Sequence, residues 1–312
     1  MNGFDILRLA AAVLVIFHHG FVLNGRASPL LGYIDMGALA VGAFFVISGY
    51  LVTGSFQRSA NAGAYLAKRV LRIAPGLIVS LILTALVLGA MVSTFGAAEY
   101  FSRPETYLYV LRNTLLYPVT YDLPGVFRDA PYPDIVNGSL WTLRLEFTCY
   151  LGVAVLGLAR MLNRPLVLGL TAAAAVAFLG LSFVQDGGNV ARMAHVGALN
   201  GFLFLAGAAF QLDGRRPGRW LTILSIVLLT TPWWVLGLPV VVMVLGRLRA
   251  APKLPADLSY GLYIYAFPLQ QVLASMGMLS FPAALAATLP FAAMSWWLVE
   301  KPTLKLKARV PS

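Results

Sequence analysis

The stretch Phe4-Asp-Ile-Leu-Arg8-Leu-Ala-Ala-Ala-Val-Leu-Val-Ile-Phe-His18-His19 decides the reading of this chain. It is apolar enough to cross a membrane, yet it carries an arginine and two histidines. Eleven helical steps separate Arg8 from His19, three turns plus about 20°, so the two share a face roughly 16–17 Å apart along the axis. Asp5 falls near that face and can orient Arg8. Ionisable groups are expensive in a membrane helix and turn toward the bundle interior or a wet cavity. The spacing therefore predicts a cleft with charge near one surface and a titratable imidazole deeper in. His18 points about 100° away, which makes His19 the candidate general base.

The rest of the chain agrees with a membrane bundle. Of 312 residues, 59% are hydrophobic and 11% charged, against about 25% charged in soluble domains; mean hydropathy is +0.79. The expectation is an all-α, polytopic membrane protein forming one domain over 1–312. The first apolar run lacks a basic lead-in and a small-x-small cleavage site, so it reads as a retained helix. Spans of about 20 apolar residues are predicted near 4–23, 36–56, 74–95, 139–159, 165–184, 196–212, 220–231, 233–246, 258–278 and 281–299. Pro232 divides two short halves at 220–246, which fit either two passes or a re-entrant hairpin.

The net charge of +11 has a topological reading. With the N-terminus inside, the inner segments hold Arg8, Arg58, Lys68, Arg69, Arg72, Arg160, Arg164, Arg215, Arg216, Arg219, Arg247, Arg249, Lys253, Lys301, Lys305, Lys307 and Arg309. These are 17 of the 23 basic residues, a bias that places both termini in the cytoplasm. The 96–138 segment then faces outward, with Glu105–Tyr117 as a short interfacial helix. No aromatic-basic recognition motif accompanies the charge, so nucleic acid is not expected as a partner. The single Cys149 excludes an intrachain disulfide and a multi-cysteine metal site, and the three histidines form no recognisable metal site. No Gly-x-Ser-x-Gly elbow, P-loop or HExxH motif occurs.

Two further clusters carry chemistry. In Lys68-Arg-Val-Leu-Arg72-Ile-Ala-Pro75, Arg69 and Arg72 share a helical face. They read either as an inner anchor or as a bidentate phosphate clamp. In Ser139-Leu-Trp141-Thr-Leu-Arg144-Leu-Glu146-Phe-Thr-Cys-Tyr150, the residues Ser139, Thr142, Glu146 and Tyr150 make a polar stripe on a membrane helix. Glu146 reads as an ion-pair partner of Arg144 or Arg8, as a proton acceptor, or as an orienter of His19. Ser48-Gly49 marks a close helix approach. Ser259-Tyr260-Gly-Leu-Tyr263 opens a helix and is a candidate cavity lining.

Together these segments resemble the acyltransferase-3 family of integral membrane acyltransferases. The matching elements are Arg8-x10-His19, Phe44-Phe-Val-Ile-Ser-Gly-Tyr-Leu51, Arg69-x2-Arg72-Ile-x-Pro75, Ser139-Leu-Trp-Thr-Leu-x-x-Glu146, Ser259-Tyr-Gly-Leu-Tyr263 and Trp296-Trp-Leu-Val-Glu-Lys-Pro302. The resemblance implies about ten helices and transfer of an acyl group from cytoplasmic acyl-CoA, acetyl-CoA above all, to a sugar hydroxyl. It implies the stand-alone form, in a bacterial inner membrane. It makes His19 the base and gives Arg8, Arg69 and Arg72 to catalysis or CoA handling. Glu146 matches an acidic position where the family often has two acids; in this chain the second position is Phe147. Ser139, Trp141 and Tyr260 are the expected substrate contacts. The expected partners are acyl-CoA, a glycan or lipid-linked saccharide, and membrane lipid, with no metal and no resident cofactor. The rival from another class is a glycan or lipid transporter, which an inverted repeat would favour; none is evident.

Overall fold

A computed structural model describes residues 2–184, 188–248, 252, 254–307 and 310. Arg249, Lys253 and Arg309 of the inner basic set lie outside the described residues. The described chain is almost entirely helical. In order, α1 is Asn2–Val22, α2 Met36–Gln57, α3 Ala62–Val92, α4 Ala97–Ser102, α5 Pro104–Leu115, α6 Leu140–Leu158, α7 Arg164–Leu181, α8 Gly188–Asp213, α9 Arg219–Leu229, α10 Trp234–Gly246, α11 Ser259–Ser275 and α12 Phe281–Leu306. Seven of them (α1, α2, α3, α6, α7, α8 and α12) are long and apolar enough to cross a membrane. The protein is a multi-pass membrane helix bundle.

Three boundaries differ from the expectation. The third helix begins at Ala62 rather than near 74, because Asn61 caps it by accepting from the Ala64 amide at 2.8 Å. Arg69 and Arg72 therefore sit within its early turns instead of ahead of it. The eighth helix begins at Gly188 rather than 196. The last continues past 299 through a π-helical turn at Trp296–Glu300. A wide turn of this kind rotates the downstream part of its helix, and such turns recur at functional sites. The 96–138 segment carries two short helices, α4 and α5, where one was expected.

The pair α9–α10 breaks at Pro232 and packs as a hairpin. Its 11 and 13 residues reach only about 16 and 20 Å at 1.5 Å per residue. Neither alone reaches across a hydrocarbon core of about 30 Å, and the two fold back on each other as a helical hairpin.

The core is built where small residues let helices touch. A Cβ on Gly49 of α2 would lie 1.9 Å from the Phe204 carbonyl oxygen, and one on Gly207 of α8 would lie 2.1 Å from that of Val46. This is the close approach expected at Ser48-Gly49. A two-residue hairpin pairs Leu30–Leu31 with Ile34–Asp35 after α1. It ends in Asp35, which caps α2 by accepting from the Ala38 amide at 2.7 Å. That turn fixes the entry of α2 beside the end of α1 that carries the histidines.

Candidate active site

Two cavities lie along α1, one at each end of the Arg8–His19 interval. The first, about 110 Å³, is lined by Arg8, Arg69, Arg72, Glu146, Tyr150 and Tyr260, among others. The second, about 260 Å³, is lined by His18, His19, Asp35, Ser139, Trp141 and Asn200, among others. We call them the arginine cavity and the histidine cavity. The single cleft expected from α1 is thus two chambers, and Arg8 and His19 line different ones.

In the arginine cavity, α1, α3, α11 and α12 bring their charged ends together. Arg8 donates to Asp5 at 2.7 Å and to Asp257 Oδ2 at 3.1 Å. Arg72 donates to the same Asp257 oxygen at 2.8 Å and pairs with Glu300 Oε2 at 3.6 Å. One carboxylate oxygen thus bridges two guanidinium groups. Ser259 donates to its other oxygen at 2.6 Å. Burial pushes the Asp257 carboxyl up, but Arg72, Arg8 and Ser259 outweigh it and hold the group below its ordinary value. Arg72 also lies over the Tyr260 ring, 5.8 Å from its centroid, and Tyr260 donates to the Ile73 carbonyl at 2.7 Å.

Arg69 differs from its neighbour. It is buried, donates to Ser55 Oγ at 3.1 Å and lies 5.9 Å over the Tyr150 ring. Among the described residues it has no carboxylate within ion-pair distance. The two arginines share a cavity as their spacing predicts, but Arg72 is already compensated by carboxylates whereas Arg69 is held by the Ser55 hydroxyl and the Tyr150 ring.

Glu146 makes neither expected ion pair among the described residues. It accepts from Ser48 at 2.7 Å and from Tyr150 at 2.6 Å. It lines the arginine cavity rather than the chamber of His19, so no contact supports its reading as an orienter of that imidazole. The stripe on α6 instead runs through both chambers. Ser139 lines the histidine cavity, and Thr142, Glu146 and Tyr150 line the arginine cavity.

His19 packs edge-on to Phe267 with centroids 4.9 Å apart, and its Nδ1 is buried without a hydrogen-bond partner among the described residues. The hydroxyl of Ser139, also buried, lacks a partner as well. Unpaired polar atoms of this kind are rare in folded chains, and two line one chamber. His18 is engaged: its Nδ1 lies 2.9 Å from Ser28 Oγ, which donates to Asp35. Of the three expected substrate contacts, Ser139 and Trp141 line the histidine cavity and Tyr260 lines the arginine cavity. His195 packs on Phe178 at 4.8 Å and lines neither chamber.

Sequence reasoning missed Asp257, Glu300 and the Ser28–Asp35 link. Glu300 stands at the end of the last apolar run, next to Lys301, where a charge ordinarily marks the membrane edge, so it gave no signal like that of His19.

A family model described as an acyltransferase domain matches residues 1–298. An O-acetyl transferase of Shigella phage Sf6 is 32% identical, with 96% of this chain and 95% of the relative covered. Nodulation protein 10 of Rhizobium leguminosarum bv. viciae is 30% identical, with 98% and 94% covered. No solved structure gives a significant match. A family model spanning nearly the whole chain, two full-length relatives and the gathering of the motif residues around two adjoining chambers have one consequence: the chain belongs to the acyltransferase-3 family of membrane acyltransferases.

Proposed function

We propose that this protein is a bacterial inner-membrane O-acetyltransferase that moves an acyl group from cytoplasmic acyl-CoA to a hydroxyl of a surface glycan or its lipid-linked precursor. The observation that carries the reading is the pair of adjoining chambers, arginines in one and an unpartnered histidine in the other. The O-acetyl transferase name of the phage relative supports the acyl group. We read the chain as one domain with both termini cytoplasmic. Seven spans, α11 as an eighth, and a hairpin that returns to its own side give the even number of crossings this needs.

The donor enters at the arginine side. Arg69, with Arg72 and Arg8 beside it, meets the CoA phosphates at the mouth, and the thin thioester arm runs inward. The acceptor hydroxyl sits in the histidine cavity near Ser139 and Trp141. Neutral His19 takes the hydroxyl proton as the oxygen attacks the thioester carbonyl. The C–S bond breaks, the ester forms, and the imidazolium returns its proton to the departing CoA sulfur. Proton and charge balance without a covalent enzyme intermediate.

Purified protein given acetyl-CoA and a candidate glycan should release CoA and acetylate the glycan, and His19→Ala should stop both. Glycan or lipid movement across proteoliposomes without CoA release would replace this reading with transport.

A further inference from the structure

The two chambers share wall residues. Val41 of α2 and Tyr263 of α11 line both. Tyr263 is 8% exposed and packs edge-on to Phe44 with centroids 5.5 Å apart. Its hydroxyl is bonded to Thr142 Oγ1. Thr142 has one hydroxyl hydrogen, and it goes to the Ser139 carbonyl at 2.9 Å. Tyr263 must therefore be the donor to Thr142. The phenol is pinned by a directed bond to α6, between Ser139 on the histidine side and Glu146 on the arginine side. Facing it, Val41 is β-branched and stiff at χ1. Of the two walls, the tyrosine is the one that can swing.

We propose that Tyr263, latched by Thr142, is the gate between the chambers, and that it decides which acyl groups and how much water reach His19. This rests on the reading that the arginine side takes acyl-CoA and the histidine side takes the hydroxyl. A short acyl group passes the edge of the ring, whereas a longer one needs the ring displaced. With the gate absent and no acceptor bound, water takes the acceptor's place. Its oxygen attacks the thioester carbonyl and His19 takes one of its protons. The C–S bond breaks, CoA leaves as the thiol with that proton, and the acyl group leaves as the free acid.

The test measures CoA release from acetyl-CoA and from hexanoyl-CoA without acceptor, in wild type, Tyr263→Ala, Tyr263→Phe and Thr142→Val. Each is made with His19 intact and as His19→Ala. Tyr263→Ala should raise the hexanoyl-to-acetyl ratio about tenfold, the scale on which pockets discriminate chain length. Tyr263→Phe and Thr142→Val keep the bulk but lose the latch. They should raise acetyl-CoA hydrolysis about fivefold, the shift that one lost hydrogen bond allows, with the ratio little changed. Every gain should vanish in the His19→Ala background.

A folded Tyr263→Ala protein with the wild-type ratio and hydrolysis rate overturns the gate. So does a gain that survives His19→Ala, since the water would then be reaching the thioester elsewhere. If Tyr263→Ala does not fold, the other two variants decide, and wild-type hydrolysis in both refutes the latch. Equilibrium binding of radiolabelled acetyl-CoA separates the levels. Intact binding with unchanged hydrolysis defeats the gate alone, whereas no binding to any variant, wild type included, defeats the donor reading beneath it.

Discussion

Arg72→Ala should destabilise the bundle where Arg69→Ala does not. Arg72 is the partner of two carboxylates, at 2.8 Å on Asp257 and 3.6 Å on Glu300, whose side chain is 2% exposed. Without Arg72, Asp257 keeps Arg8 and Ser259. Glu300 keeps only the Ser295 hydroxyl, and its Oε2 already has no hydrogen bond. Breaking a buried pair from one side costs about 3–5 kcal/mol, and most of that falls on the stranded Glu300. Glu300→Gln added to Arg72→Ala removes that charge and should recover about 1–3 kcal/mol, the range of coupling between neighbours. Arg69→Ala removes a buried cation held by one hydroxyl and one aromatic face, so stability should stay near wild type while acyl-CoA binding weakens. Thermal unfolding in detergent reads the first effect, and equilibrium binding of acetyl-CoA reads the second. Arg72→Ala with the wild-type melting temperature, or no recovery on adding Glu300→Gln, would refute the reasoning.

Three further outcomes are expected. His19→Ala should lower acyl transfer by about 10²–10⁴-fold, the usual contribution of a general base, with membrane abundance intact because it breaks no hydrogen bond; His18→Ala, which loosens Ser28, should cost less, and equal activity in two well-expressed variants would reject His19 as the base. Asp257 is held below its ordinary value of 3.8, so its stabilising contribution is complete above that value and fades only as pH falls through the lower folded value; Asp257→Asn should flatten the acid limb of melting temperature against pH, and an unchanged limb would remove Asp257 from that role. In a Cys149→Ala background, a cysteine at Asp122 should react with an impermeant reagent from outside, whereas one at Ser312, which lies outside the described residues, should react only after permeabilisation; the reverse pattern would put Arg69 and Arg72 on the side without CoA.

What the sequence made legible depended on the range of each interaction. Apolar runs found the spans, and Pro232 located the hairpin break, because both are local. The start of α3 was not visible in hydropathy. Its early turns are polar, and the helix begins at a cap, Asn61, rather than at the membrane edge. The early placement of Arg69 and Arg72 in that helix comes from the cap. Asp257 escaped notice because it acquires meaning from Arg72 and Arg8, 185 and 249 residues away. The pairing of Glu146 with Arg144 fails for a reason readable in advance: residues two apart on a helix point to opposite sides. The hydroxyls that Glu146 chose instead, Ser48 and Tyr150, lie on α2 and one turn further along α6. Only Tyr150 was on the stripe.

The eleven-residue interval recurs, and it defines the task of the site. Arg8 and His19 are eleven residues apart on α1; Ser139 and Tyr150 are eleven apart from the start of α6 inward. Both intervals span roughly 16–17 Å, and both run from one chamber to the other. If the arginines near one surface take phosphate and His19 is the base, as proposed, the two cannot share one compact substrate. On the proposed reading the donor must be a molecule with its charge at one end and its reactive carbon on a long arm. The same depth explains the carboxylates. Uncompensated guanidinium groups within a membrane bundle are costly, and Asp257 and Glu300 compensate Arg8 and Arg72. An arriving phosphate then has to share those arginines with their carboxylates and gains less than from a free cation. On that reading Arg69, buried with no carboxylate partner among the described residues, is left as the group whose charge has most to gain from the donor.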